Sequence, residues 1–348
     1  MPTNATPAAS TVLITGASGF IAQHTILQLL ELGYRVRGSI RSLPKGDAVR
    51  SILAEHSQAA DHFELVEGDL TSDDGWREAA RGCRFVLHMA SPMPAQPPKD
   101  ENDLIVPARD GTLRVLAAAT DEGVERVVLT SSIAAVLYGH ARDGSRVYDE
   151  SDWSQLTDEV SAYTKSKTIA ERAAWEYIEG LPESKRPEFC AVNPGLVLGP
   201  VLSADFSTSG ELVRKLMQRN VPGCPDLGWA MVDVRDVAAA HLAAMTIPAA
   251  NGRRFIVAGE HASVLDIAKI LARAFGARGY RPPTRRLPGW IFQLVARWDR
   301  SAALAVRELG KRQDVSSQRA KDVLGWQPRS LEDMVVAMGE SMIRYGVV

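Results

Sequence analysis

A β-branched run, Thr11–Thr15, passes directly into a spaced glycine set, Gly16-x-x-Gly19-x-x-Ala22, and then into apolar residues at helical spacing from Ile21 to Leu32. The run is apolar enough to be buried on both faces, as strands of parallel sheets are. Gly16 permits a sharp turn, Gly19 a close approach of the backbone to a bound group, and Ala22 tight packing of helix on strand. Gly33 then stops the helix. Strand, tight turn and helix in this order commit the chain to the first unit of a parallel sheet. The free amides at the helix start favour an anion such as a pyrophosphate.

The alternation continues. Tyr34–Ile40, Phe63–Glu67, Phe85–Met89, Val124–Thr130 and Phe189–Val192 read as strands, and Asp47–His56, Leu104–Thr120 and Ala162–Glu179 as helices. Pro107 is tolerable only in the first turn of its helix or at a kink. The pattern predicts an α/β fold, a Rossmann doubly wound parallel sheet with ligands outside the carboxyl ends of its strands. After Gly199-Pro200 helix signals at Gly210–Asn220, Val234–Ile247, Val264–Phe275 and Trp290–Gly310 are separated by loops, and Arg253–Ala258 reads as a strand able to rejoin the sheet. The expected organisation is a dinucleotide-binding domain over 1–199, with 232–260 returning to it. A smaller, mostly helical substrate lobe would comprise 200–231 and 261–348.

Composition narrows the class. With 40 basic and 42 acidic residues in 348 the net charge is −2, which offers no pull toward nucleic acid or an anionic membrane. Cys83, Cys190 and Cys224 are far apart and suit a reducing compartment, so a cytoplasmic location is expected. The first ten residues lack a basic stretch followed by an apolar one, and Gly16, Gly19, Gln23 and His24 interrupt residues 11–30, against a leader or a membrane span. The histidines show no metal-ligand spacing, so no metal is expected. His88 reads as a satisfied buried histidine at the cofactor edge, Trp290 and Trp298 as packing residues, and Asp233 and Asp236 as structural, a helix cap and loop bonding.

Cofactor choice is legible at the second strand. An acidic residue there would hold the ribose 2′-hydroxyl of NAD, but residues 35–45 read RVRGSIRSLPK with no acid. Arg41 stands where a guanidinium could pair with a 2′-phosphate, assisted by Ser39, Ser42 and Lys45, which predicts NADP(H). Thr15, Ser18, Phe20 and Ile21 share the loop with the glycines and join the cofactor set. Asp69 and Leu70, after the third strand, are placed to meet the adenine; a turn role for Asp69 stays open.

Tyr163 and Lys167, in YTKSK, lie one helical turn apart. A phenol is an adequate proton donor to a developing alkoxide, and a cation on the same face would lower its pKa. Ser132, in LTSSIAAV, can hold the substrate oxygen beside Tyr163; Ser131 is the alternative, and sequence does not separate them.

In these strings the chain resembles the extended short-chain dehydrogenase/reductases, in particular the group of dihydroflavonol, cinnamoyl-CoA, aldehyde and methylglyoxal reductases. The resemblance rests on TGASGFIA, VRGSIRS, HMASP, VLTSSIAAV, YDESDWS, YTKSKTIAERAAWE, AVNPGLVLGP and VDVRDVAAAH, spanning roughly residues 11–245, with LGWQP at 324–328. Pro107 stands where nucleotide-sugar epimerases of the superfamily often carry Asn. The resemblance implies that Arg41 and Lys45 bind the 2′-phosphate and that Ala90, Ser91, Pro92, Asn193 and Pro194 lie near the nicotinamide and substrate. Thr130, Gly195 and Val197 flank those positions and are assigned to the cofactor too. Plant dihydroflavonol reductases read their flavonoid with an Asn five residues past the catalytic serine; Leu137 occupies that position here, against a catechol substrate. Met93, Leu137, Tyr138, Val201 and Leu202, with Ser91 beside them, would form a largely apolar wall.

The function expected is NADPH-dependent reduction of a small-molecule aldehyde or ketone by Ser132, Tyr163 and Lys167. The rival readings are a nucleotide-sugar epimerase or dehydratase and a non-catalytic NADP-sensing regulator. The partners expected are the carbonyl substrate and, by resemblance, a second copy of the chain, with no nucleic acid and no membrane.

Overall fold

The structure, a computed structural model, describes residues 10–92, 98–206, 209–295 and 306–348. Its strands in chain order are β1 Thr11–Thr15, β2 Arg35–Ile40, β3 Phe63–Glu67, β4 Phe85–His88, β5 Arg126–Thr130, β6 Glu188–Pro194, β7 Leu196–Leu198, β8 Gly228–Asp233, β9 Arg254–Val257 and β10 His261–Ser263. Seven of them form one sheet in the order β3-β2-β1-β4-β5-β6-β9. Every pairing within it is parallel.

The first strand shows why its run is unbroken. Val12 and Ile14 join a core with Ile26, Leu29 and Leu30 of α1 (Phe20–Glu31) and Val237 and Met245 of α7 (Val234–Thr246). Leu13, pointing the other way, packs with Val115 and Leu116 of α4 (Asn102–Asp121) and Ala174 and Ile178 of α5 (Ala162–Gly180). Helices cover both faces, so alternation within the strand changes the partner and not the polarity. Gly38, mid-β2, is required by close approach: a Cβ there would lie 2.7 Å from Ala17 and from the Phe63 ring. Between β2 and β4 lie α2 (Gly46–His56) and α3 (Trp76–Ala80).

The C-terminal part is mostly helical, as expected, and holds a small sheet as well. Beside α6 (Gly210–Met217), α8 (Val264–Phe275) and α9 (Gly289–Val295) it carries a second sheet, β10-β8-β7. Two of its strands are three residues long, too short to show a period. Of the helix expected over Trp290–Gly310, Gly289–Val295 is helical and Arg307–Gly310 form a turn; residues 296–305, Trp298 among them, lie outside the described residues. Two further helices close the chain, α10 (Gln318–Leu324) and α11 (Leu331–Arg344). LGWQP docks by Trp326, whose indole donates to the Asp236 carbonyl at 3.0 Å, while the Asp236 carboxylate accepts the Arg329 amide at 2.6 Å. Asp233 caps α7 and accepts the Arg235 amide. No helix among the described residues is long and apolar enough to cross a membrane.

Candidate active site

At the carboxyl ends of β1, β2, β3 and β4 lies a cleft of about 1200 Å³. Gly16, Ser18 and Gly19 line one side, Asp69, Leu70 and Thr71 another, and Ala90, Ser91 and Pro92 the end nearest β4. Gly16 has φ +73°, and a Cβ there would lie 3.0 Å from the Ala90 backbone. No side chain caps the start of α1, so its leading amides remain for a ligand. Phe20 and Ile21, inside that first turn, pack into the cores of the two parts of the molecule. Arg41 and Lys45 line the cleft, both exposed, and neither forms an ion pair among the described residues. Ser39 accepts the Gly16 amide at 3.2 Å, tying the glycine loop to β2.

Asp69 serves the turn: one carboxylate oxygen accepts both the amide and the hydroxyl of Thr71 at 2.8 Å, and these bonds hold its carboxyl below the usual range. Sequence reading missed the far wall, Ser203, Ala204 and Asp205 together with Asp103 and Leu104 beside Pro107. Pro107 lies inside α4, beyond its first turn, so the Asp103 carbonyl loses its helical donor.

Thr15 is spent inside the protein. Thr112 Oγ1 donates to the Ala108 carbonyl at 2.8 Å, so it accepts from His88 Nε2 at 3.2 Å. His88 Nδ1 is then the acceptor for the Thr15 hydroxyl at 2.8 Å, and Thr15 Oγ1 accepts the Met89 and Ala90 amides. This chain pins the Ala90–Pro92 segment to β1. Burial brings the His88 pKa down to about 3, helped by the nearby Lys167 ammonium. Thr130 is used likewise. Its hydroxyl donates to His241 Nε2 at 2.7 Å, because His241 Nδ1 donates to the Val237 carbonyl at 2.8 Å.

The serines separate cleanly. Ser131 donates to Glu171 at 2.5 Å and is buried with it. Ser132 Oγ accepts the Ala134 amide at 3.1 Å, which leaves its own hydrogen free to donate, and it faces the Tyr163 phenol. Ser161 caps α5 by accepting the Thr164 amide and so sets Tyr163 and Lys167 in the opening turns. Tyr163 is half-buried. Burial raises its pKa, and the hydrogen bond of the Ser132 hydroxyl pulls the other way. Lys167 is buried; its ammonium donates to the Thr130 carbonyl at 3.4 Å, and burial lowers its pKa to about 8 against the pull of Glu171.

On the substrate side, Leu137 and Val201 are fully buried in core clusters, and Tyr138 is half-buried. Its hydroxyl accepts from Gln313 at 2.8 Å, with the Arg142 guanidinium 4.3 Å from the ring centre. Met93 lies outside the described residues. Asn193 and Pro194 end β6, and Gly195 passes so close to β8 that a Cβ would lie 2.3 Å from the Ala230 carbonyl oxygen. Val197 pairs with Val232 across β7 and β8.

The chain is similar to known proteins. The chain is 36% identical over 274 residues to cinnamoyl-CoA reductase 1 of Arabidopsis thaliana, covering 78% of this chain and 76% of the relative. It is 32% identical over 354 residues to the NADPH-dependent methylglyoxal reductase of Saccharomyces cerevisiae, covering 96% and 98%. The crystal structure of the yeast methylglyoxal/isovaleraldehyde reductase complexed with NADPH superposes with a TM-score of 0.79 at 30% identity, over 97% of this chain and 100% of that one. Residues 12–258 match the model of the NAD dependent epimerase/dehydratase family, and the chain belongs to that family.

Proposed function

We propose that the protein is an NADPH-dependent oxidoreductase that reduces an aldehyde or ketone to an alcohol, with Tyr163 as proton donor. The carrying observation is that the free hydroxyl hydrogen of Ser132 faces the Tyr163 phenol, with Lys167 one turn behind. The residues present fit a 2′-phosphorylated dinucleotide: a glycine turn with no room for a side chain, an uncapped helix start, and at the cleft Arg41 and Lys45, without ion-pair partners among the described residues. The NADPH named for the yeast relatives supports the same cofactor.

When bound, the cofactor supplies a hydride from its nicotinamide C4 to the carbonyl carbon. Tyr163 gives its proton to the carbonyl oxygen as charge grows there, and Ser132 donates a hydrogen bond to that same oxygen. Burial keeps the phenol protonated beforehand, so the acid is loaded at neutral pH. Lys167, protonated below about pH 8, stabilises the phenolate that remains. Uncharged aryl or aliphatic carbonyl compounds are proposed as substrates on the family resemblance; Leu137 and Val201, expected in the pocket wall, are fully buried in the cores and do not carry that reading. Residues 1–199 with the returning 232–260 segment are proposed as the cofactor domain, and the remainder as the substrate lobe.

The test is NADPH and NADH oxidation against aldehydes, α-dicarbonyls, aryl ketones and a dihydroflavonol. Turnover on uncharged carbonyl compounds with NADPH preferred is expected. Silence across the panel, with NAD tightly retained in purified protein, would move the protein to sugar-nucleotide chemistry.

A further inference from the structure

Glu171 lies one helical turn beyond Lys167 on α5 and is fully buried. Its Oε2 accepts from Ser131 Oγ at 2.5 Å, Asn193 Nδ2 at 2.8 Å and an Arg254 terminal nitrogen at 3.3 Å. Its Oε1 accepts from Arg254 Nε at 2.6 Å and the Trp175 indole at 3.4 Å. The same Asn193 nitrogen donates to the Ser132 carbonyl at 3.1 Å. Two acceptors on one side of this amide fix which end is nitrogen, and Asn193 Oδ1 is left buried without a hydrogen-bond partner among the described residues.

Arg254 extends the grip. Its other terminal nitrogen donates to the Glu150 and Asp152 carbonyls at 3.0 and 2.7 Å, it reaches the Ala135 carbonyl at 3.5 Å, and its guanidinium lies 3.8 Å from the Trp153 ring centre. The turn that carries Ser132 is thus held from beneath at Ser131, at the Ser132 carbonyl and at Ala135. A buried ion pair is a poor way to gain stability alone, since apolar residues of similar volume often serve as well or better. An unmet amide oxygen beside it adds to that cost. What the arrangement does supply is a single backbone geometry under the serine.

We propose that Glu171 is a positioning residue for carbonyl reduction: through Ser131 and Asn193 it sets the backbone at Ser132 so that the Ser132 hydroxyl meets Tyr163. This rests on the roles proposed above for Ser132 and Tyr163.

Three variants of the full chain test it: Ser131→Ala, which removes one hydroxyl and keeps the ion pair, Glu171→Gln, and Ser132→Ala as the reference. For each, kcat, KM for the best aldehyde, NADPH affinity by fluorescence and melting temperature are measured. The misplacement of a catalytic group by about 1 Å costs up to about 100-fold, so Ser131→Ala should lower kcat about tenfold and Glu171→Gln about 100-fold. KM and NADPH affinity should stay within about threefold in Ser131→Ala, an expectation that follows from its touching neither ligand. If Glu171→Gln does not fold, Ser131→Ala decides. A lowered melting temperature with kcat unchanged in Ser131→Ala would make the network merely structural and overturn the proposal. Ser132→Ala collapsing while both other variants turn over normally overturns positioning alone. Full turnover in Ser132→Ala overturns the reading of the site itself, and the proposal with it.

Discussion

The Thr15 hydroxyl donates to His88 Nδ1 at 2.8 Å, so the imidazole is neutral with its hydrogen on Nε2. His241 and His24 are likewise buried, each with its pKa lowered to about 4 mainly by burial, against about 3 for His88. In the unfolded chain each would take a proton near the ordinary 6.5. The unfolded state therefore binds more protons below that value, and stability, complete above it, is lost as pH falls toward the folded values. Each site contributes about 1.4 kcal/mol per pH unit in that window. Urea unfolding at pH 7, 6 and 5 should show a steep loss; a flat profile would refute the neutral assignment.

Replacing Tyr163 with Phe removes the acid and keeps the ring. Turnover should fall by about 100- to 10,000-fold, the span general acid catalysis commonly supplies. NADPH binding, followed by fluorescence, should stay near that of the unaltered protein. Unchanged turnover would remove Tyr163 from the chemistry.

Arg41 lines the cleft without an ion-pair partner among the described residues. Arg41→Ser should raise KM for NADPH by about 10- to 100-fold, the worth of a charge-assisted hydrogen bond, with little change for NADH. An equal loss with both cofactors would place the guanidinium elsewhere than on a 2′-phosphate.

Lys167 titrates near 8 in a setting of Glu171, which favours its charge, and of His88, which stays neutral there. Raising the pH through 8 removes its proton and with it the support for the phenolate, so kcat for reduction should decline on that limb. Lys167→Arg, charged across the whole range, should carry any residual activity without that decline. A rate constant in pH to 9.5 in the unaltered protein would exclude this dependence.

The sequence made the local parts legible. The glycine turn between a strand and a helix, the missing acid after β2 and the four-residue step from Tyr163 to Lys167 all lie within short stretches. What it hid is non-local. Ser131 and Ser132 look alike until Glu171, 40 residues on, claims one of them. Glu171 meets Arg254 across 83 residues, and only its place four residues past Lys167, on the same helical face, hinted at a role. Spacing puts Lys167 one turn from Tyr163 but does not report burial, which raises the pKa of the phenol. The strands β7 and β10 are too brief to carry a pattern, whereas Met334, Val335, Met338 and Met342 of α11 do carry one, behind a Ser330 cap.

One edge strand of the large sheet, β9, is made by residues that follow the second sheet's β7 and β8, and it pairs with the side of β6 that β5 leaves open. A chain halted at residue 199 would therefore present β6 as a long, apolar, open edge, Phe189 to Pro194 being buried in the complete fold. Such an edge recruits strands from other molecules. Newly made protein should thus pass through an aggregation-prone interval that ends only when Arg254–Val257 arrives, and a fragment of 199 residues should be recovered as aggregate, whereas one extended past β9 should not form that edge.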